Sequence, residues 1–267
     1  MSEKTFNSFR ELKKFVESST TIEVDDPIIS TMVEKGKEMD EYISENIHWL
    51  QDKYSSSTLF HNAIIFPLTW TGHAVDSPPY HSAAIQYLKR GKKEHLEKAI
   101  SKYGRYGEEK LHQILISWKT ILEHFDDYDF EKLKEDKFVL IQDELWKLTY
   151  KLIQENKIRG IGNWILFAPF KIILAYRYRL WKNKETDKIK MPLGLEVIRG
   201  IRKLIKRKSK YVEGYDTYMF MEEEGGLVEG KAIIELVHSI SKKIAGDYDT
   251  RVIHVNSGLY QLGKGEI

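Results

Sequence analysis

Leu111, Ile114, Leu115, Trp118, Ile121 and Leu122 recur at intervals of three and four. That period lays a single apolar stripe along an α-helix. Val228, Ala232, Leu236, Val237, Ile240 and Ile244 repeat it late in the chain, and Met32, Met39, Ile43, Ile47 and Leu50 repeat it early. The early stripe is entered through Asp25-Asp26-Pro27, where aspartates suit the cap and proline suits the first turn. Phe6, Phe9, Leu12, Phe15 and Val16 predict a short helix over residues 2–18. Only Thr20 to Val24 alternates clearly, and it is too short to define a sheet. The spacing predicts an all-α chain.

Between Asp143 and Leu204 the pattern reads as a helix, a glycine hairpin, a second helix and a basic segment. The hairpin is Ile158-Arg159-Gly160-Ile161-Gly162-Asn163. Two glycines one residue apart let the backbone turn with positive φ. They also leave amides bare at the start of the next helix, a position suited to phosphate. The plain alternative is an ordinary turn between packed helices.

Charge is sorted along the chain although the net charge is only +2. From Arg177 to Lys210 there are thirteen basic residues, against the acids Glu185, Asp187 and Glu196. Asp216 to Glu229 carries four glutamates and one aspartate without a lysine. Arg199, Arg202, Lys203, Lys206 and Lys210 recur at helical spacing, with Val197, Ile198, Ile201, Leu204 and Ile205 between them. This predicts an amphipathic helix with a basic outer stripe. Beside a glycine hairpin such a stripe is the footprint of a phosphate-backbone binder. A solvated helix face gives the same pattern.

Composition excludes several chemistries. The 267 residues include no cysteine, so disulfides, thiolate metal sites and cysteine nucleophiles are out. There is no Gly-x-Ser-x-Gly elbow and no phosphate loop. His48, His61, His73 and His81 with Asp76 could supply metal ligands, but no pair has one-turn spacing, so no metal is expected. No cofactor is expected either. Abundant Lys and Glu without Cys fits a thermophile's habits. The polar start predicts no secretory leader, and no apolar run nears the roughly 18 residues of a membrane span. A cytoplasmic protein with no membrane partner is expected. Thr71–Pro79 reads as a loop, the middle of an aromatic loop that runs from Phe66 to His81. Gly104–Gly107 and Gly225-Gly226 read as breaks, and Asp126–Asp129 as a cap.

Several segments resemble, in order, the helix-hairpin-helix DNA glycosylases, most closely the archaeal 8-oxoguanine DNA glycosylase branch. Gly160 to Ile172 is similar to their hairpin and following helix. Met191-Pro192-Leu193-Gly194-Leu195-Glu196-Val197-Ile198-Arg199 is similar to their proline-led loop. His254 to Gly263 is similar to their closing helix. The resemblance implies a two-lobed helical bundle of that type, which recognises a damaged or modified base in DNA. It implies that Phe167, Lys171, Asn256 and Tyr260 hold the base. The hairpin and the basic stripe together predict nucleic-acid contacts from Gly160, Gly162, Asn163, Arg199, Arg202, Lys203 and Lys206.

The departures concern chemistry. The family's lyase members carry a nucleophilic lysine just after the hairpin; here stand Asn163 and Trp164. The family's essential aspartate falls on Gly194. Glu196 is the candidate catalytic carboxylate in its place, which implies N-glycosidic cleavage without Schiff-base lyase activity. Glu196-Val197-Ile198-Arg199 also resembles a Glu-x-x-Arg stretch of the queuosine-salvage nucleoside glycosylases, which share this fold and act on a small nucleotide. Three functions therefore stay open: an altered glycosylase, an inactive nucleic-acid-binding module, and a nucleotide glycosylase. The expected partner is nucleic acid, DNA favoured, or a modified nucleotide. The expected division is an N-terminal lobe over 1–100, completed by the C-terminal helices, and a hairpin lobe over 101–267.

Overall fold

The computed structural model describes residues 27–53, 59–69, 78–100, 107–124, 135–177, 184–207, 209–212 and 227–267. They form ten α-helices and one 3-10 helix, with no strand among the described residues. The helices are α1 (Pro27–Lys53), α2 (Leu59–Thr69), α3 (Pro78–Arg90), α4 (Lys93–Ile100), α5 (Glu108–Glu123), α6 (Glu135–Gln154), α7 (Asn163–Arg177), α8 (Leu195–Lys206), α9 (Leu227–Asp247) and α10 (Val252–Lys264). The protein is all-α. No helix among the described residues is long and apolar enough to cross a membrane.

The chain divides into two compact units. One unites Met1–Tyr42 with Lys190–Ile267, and the other is Ile43–Ile189. The boundaries fall after residues 42 and 189. The expected helix over 2–18, the alternating segment over 20–24, the Asp126–Asp129 cap and the Gly225-Gly226 break lie outside the described residues.

The Ile43–Ile189 unit is built on aromatic packing. Phe60 of α2 meets Trp118 of α5 edge-on at 6.4 Å and Phe170 of α7 at 5.9 Å. Phe138 of α6 closes on Phe170 at 5.1 Å. All four are buried, and large rings of this kind contribute most of a core's apolar area. The α5 stripe is buried from Leu111 to Leu122 as its spacing predicts. Gly107 occupies the N-cap position of α5.

The aromatic stretch from Phe66 to His81 corrects the loop expectation at both ends. Phe66–Thr69 complete α2, and Pro78–His81 open α3. Ala63, Ile64, Ile65 and Leu68 are buried, and that packing carries α2 past Pro67. Pro78 and Pro79 sit in a first turn, where a missing N–H costs nothing. Residues 70–77 lie outside the described ones.

In the other unit α10 packs between the start of α1 and α8, and glycines set the spacing. A Cβ at Gly36 of α1 would overlap the His254 carbonyl, and one at Gly258 would overlap the Met32 carbonyl. On the other face, a Cβ at Gly200 of α8 would overlap the Leu259 carbonyl, and one at Gly263 the Glu196 carbonyl. Backbone therefore lies against backbone on both sides of α10. α10 stops at Gly265, whose φ of 89° only glycine adopts cheaply.

Candidate nucleic-acid interface

The hairpin follows from how α6 ends. Asn156 takes a left-handed φ of 55°. Lys157 N–H donates to the Leu152 carbonyl at 2.9 Å, and Asn156 N–H to that of Ile153 at 3.0 Å. These two bonds form a Schellman stop. The next residues alternate: Ile158 and Ile161 are buried, while Arg159, Gly160 and Gly162 are exposed. Two isoleucines thus anchor the turn and present both glycines outward. Gly160 has a φ of 76°, and a Cβ added there would come into ordinary contact with Gln113 and Ile114 of α5.

α7 starts at Asn163, and Leu166 N–H donates to the Gly162 carbonyl at 2.9 Å. The first-turn amides of a helix have no intrahelical partner. With the helix dipole, they favour an anion. The first turn of α7 holds no acidic residue, and a Cβ at Gly162 would meet nothing within 4 Å. Nearby, Lys157 pairs with Glu155 at 2.7 Å. The hydrogen bond from Lys157 holds the Glu155 carboxyl below its ordinary pKa.

α8 is less free than its charge suggests. Arg199 is exposed, whereas Arg202 and Lys203 are half-buried. Lys203 Nζ donates to the Leu262 carbonyl at 2.5 Å, capping the end of α10. The side chain of Lys206 lies outside the described ones. Flanking bases are matched by acids distant in sequence. Lys190 pairs with Glu235 at 2.9 Å, and Lys210 reaches Asp247 at 3.6 Å. Lys188 pairs with Glu185. The expected outer stripe is therefore partly turned inward, because tertiary packing brings α9 acids and an α10 carbonyl to it.

The proline-led loop is pinned from α10. Buried Asn256 donates from Nδ2 to the Pro192 carbonyl at 3.2 Å. Gly194 then takes the N-cap position of α8, with an extended φ of −109° and no side-chain cap. Glu196 lies in the first turn, half-exposed. Tyr260 of α10 is also half-exposed, with the Lys264 ammonium 5.5 Å from its ring centre. The Glu266 hydrogen bond, aided by the charges of Tyr260, Glu266 and Glu196, raises the Lys264 pKa.

Phe167 and Lys171 lie on α7 in the Ile43–Ile189 unit, whereas Glu196, Asn256 and Tyr260 lie in the other. Phe167 is buried, with its ring 5.2 Å from that of Trp146. It is a core aromatic as placed. Lys171 is buried as well.

Among the described residues, no group of three or more His, Asp or Glu side chains is placed to hold a metal. His61 sits on α2, where burial, then the charges of Lys89 and Lys119, pull its pKa down to about 4. His73 and Asp76 lie outside the described residues, as do the side chains of His48 and His81.

Two features gave no signal in the sequence. Ser117 of α5 accepts from Arg159 N–H at 3.0 Å and donates to the Arg159 carbonyl at 2.6 Å. Asp40 of α1 receives bonds from His254 and Ser257 of α10. Neither has a local pattern, because the partners are far apart in the chain. In comparisons with known proteins, no family model, curated protein or solved structure matches this chain.

Proposed function

We propose that this chain binds nucleic acid, duplex DNA in particular, through the phosphate backbone at the 158–163 hairpin. One observation carries the reading: exposed Gly160 and Gly162 flank buried Ile161 at the N-terminus of α7, with open space over Gly162. Backbone amides there can approach a phosphate without a side chain between them. Arg159, exposed beside them, supplies a fixed positive charge. The order of segments resembling the helix-hairpin-helix glycosylases supports the same reading.

The test is fluorescence-anisotropy binding to a duplex over a salt series. Gly162→Asp adds a side chain and a negative charge at the open position. It should weaken binding while the far-ultraviolet circular dichroism stays unchanged. Undiminished binding would remove the hairpin from the interface. A flat salt dependence in the parent would favour a small modified nucleotide instead.

Recognition of a modified base is part of the same proposal. Tyr260, half-exposed, is the candidate for stacking on it, since Phe167 is occupied by Trp146. Base release, where it occurs, should be monofunctional and depend on a carboxylate, because Asn163 and Trp164, not a lysine, stand just after the hairpin. Glu196, part-exposed at the start of α8, is the candidate. Equal base release by the parent and Glu196→Gln, over a panel of modified bases, would take Glu196 out of the mechanism.

A further inference from the structure

Ser117 lies 42 positions before Arg159, on α5, outside every segment that the hairpin motif includes. It is 3% exposed. Its hydroxyl closes both backbone groups of Arg159, accepting from N–H at 3.0 Å and donating to the carbonyl at 2.6 Å. A single side chain thus fixes the residue that enters Gly160. Ile114 and Gln113, on the same helix, lie 3.5 and 3.6 Å from where a Cβ on Gly160 would stand. The hairpin is therefore held from outside as well as by its own isoleucines.

We infer that Ser117 is a positioning residue of the phosphate site, setting the direction of the hairpin amides through the Arg159 backbone. The inference rests on the phosphate-binding reading of the hairpin. A turn free to rotate at Arg159 and Gly160 aims its amides in many directions, and ordering them on binding would cost conformational entropy. Ser117 removes that freedom before any ligand arrives, which is the usual route by which a fixed loop gains affinity.

The experiment measures duplex-DNA binding of the full chain against salt for the parent, Ser117→Ala and Ser117→Cys. Cysteine keeps nearly the same volume and loses most of the hydrogen bonding, so it reports the same effect where alanine fails to fold. A role in positioning predicts roughly tenfold weaker binding, the worth of one hydrogen bond to a charged group. It also predicts a log–log salt slope shallower by about 0.9, because Arg159, whose backbone Ser117 fixes, no longer holds its cation on a phosphate. Amide exchange at Arg159 should quicken while exchange in the middle of α5 and α7 is retained.

A merely structural role lowers the folded fraction and scales affinity equally at every salt concentration. Weaker binding with the parent's slope therefore overturns the inference. Parent-like affinity and slope in both variants overturn it too, and leave the hairpin reading standing. No salt-dependent binding by the parent overturns both.

Discussion

Asp40 accepts a hydrogen bond from His254 Nδ1–H at 2.8 Å, joining α1 to α10 across 214 positions of sequence. The other carboxylate oxygen accepts from Ser257 at 2.6 Å. All three side chains are buried. Removing the carboxylate leaves two donors facing an interior that cannot hydrate them. Asp40→Ala is expected to cost about 3 kcal/mol, within the range for breaking one member of a buried polar pair. Urea unfolding followed by circular dichroism measures this. A loss below about 1 kcal/mol would mean that the cluster fills space and does little else.

His61 sets a pH dependence. Its pKa falls to about 4 in the folded chain, from an ordinary 6.5, because burial and then Lys89 and Lys119 disfavour the cation. Between those values the unfolded chain binds the extra proton and the folded chain does not. Stability is therefore full above pH 6.5 and falls as the pH drops towards 4. The loss has an upper limit of roughly 3 kcal/mol. His61→Gln should flatten the curve in that window. A variant with the parent's pH profile would place the acid sensitivity elsewhere.

The glycines of α10 and its neighbours separate crowding from open space. Gly200→Ala and Gly263→Ala push a Cβ into the Leu259 and Glu196 carbonyls. Both partners are helix backbone and cannot yield without opening the α8–α10 contact. Each change should cost about 3 kcal/mol, the upper end for overpacking. Gly162→Ala, with nothing within 4 Å, should stay within about 0.5 kcal/mol of the parent, as exposed substitutions do. Melting temperatures of the three variants decide the matter. Equal losses would contradict the close packing of α8 on α10.

What the sequence revealed was local. The stripe from Leu111 to Leu122 is legible because a three–four period buries one face whatever lies opposite. The turn between α6 and α7 is legible because two glycines stand one residue apart between apolar runs. Phe167 was not legible: a ring awaiting a base and a ring packed on Trp146 look alike until α6 and α7 are placed together. Pro67, Pro78 and Pro79 suggested a loop, since proline stops helices and starts them alike. The engagement of Lys203 with α10 was hidden for the same reason as the Asp40 cluster. Spacing along one helix shows which face a residue shares and leaves open what covers that face.

Arg199 and Lys203 therefore make a discriminating pair. Both lie on the basic side of α8, and charge alone would give them equal parts in binding DNA. Arg199 is exposed. Lys203 is half-buried, with Nζ committed to the Leu262 carbonyl at the end of α10. Arg199→Ala should lower the salt slope of DNA binding by about 0.9, one phosphate contact, with stability nearly unchanged. Lys203→Ala should do the reverse. It removes a cap from the last turn of α10 and should cost about 1 kcal/mol, while the slope holds. Binding against salt and urea unfolding are measured on the same two proteins. A slope loss confined to Lys203→Ala would show that the ammonium leaves Leu262 to meet a phosphate.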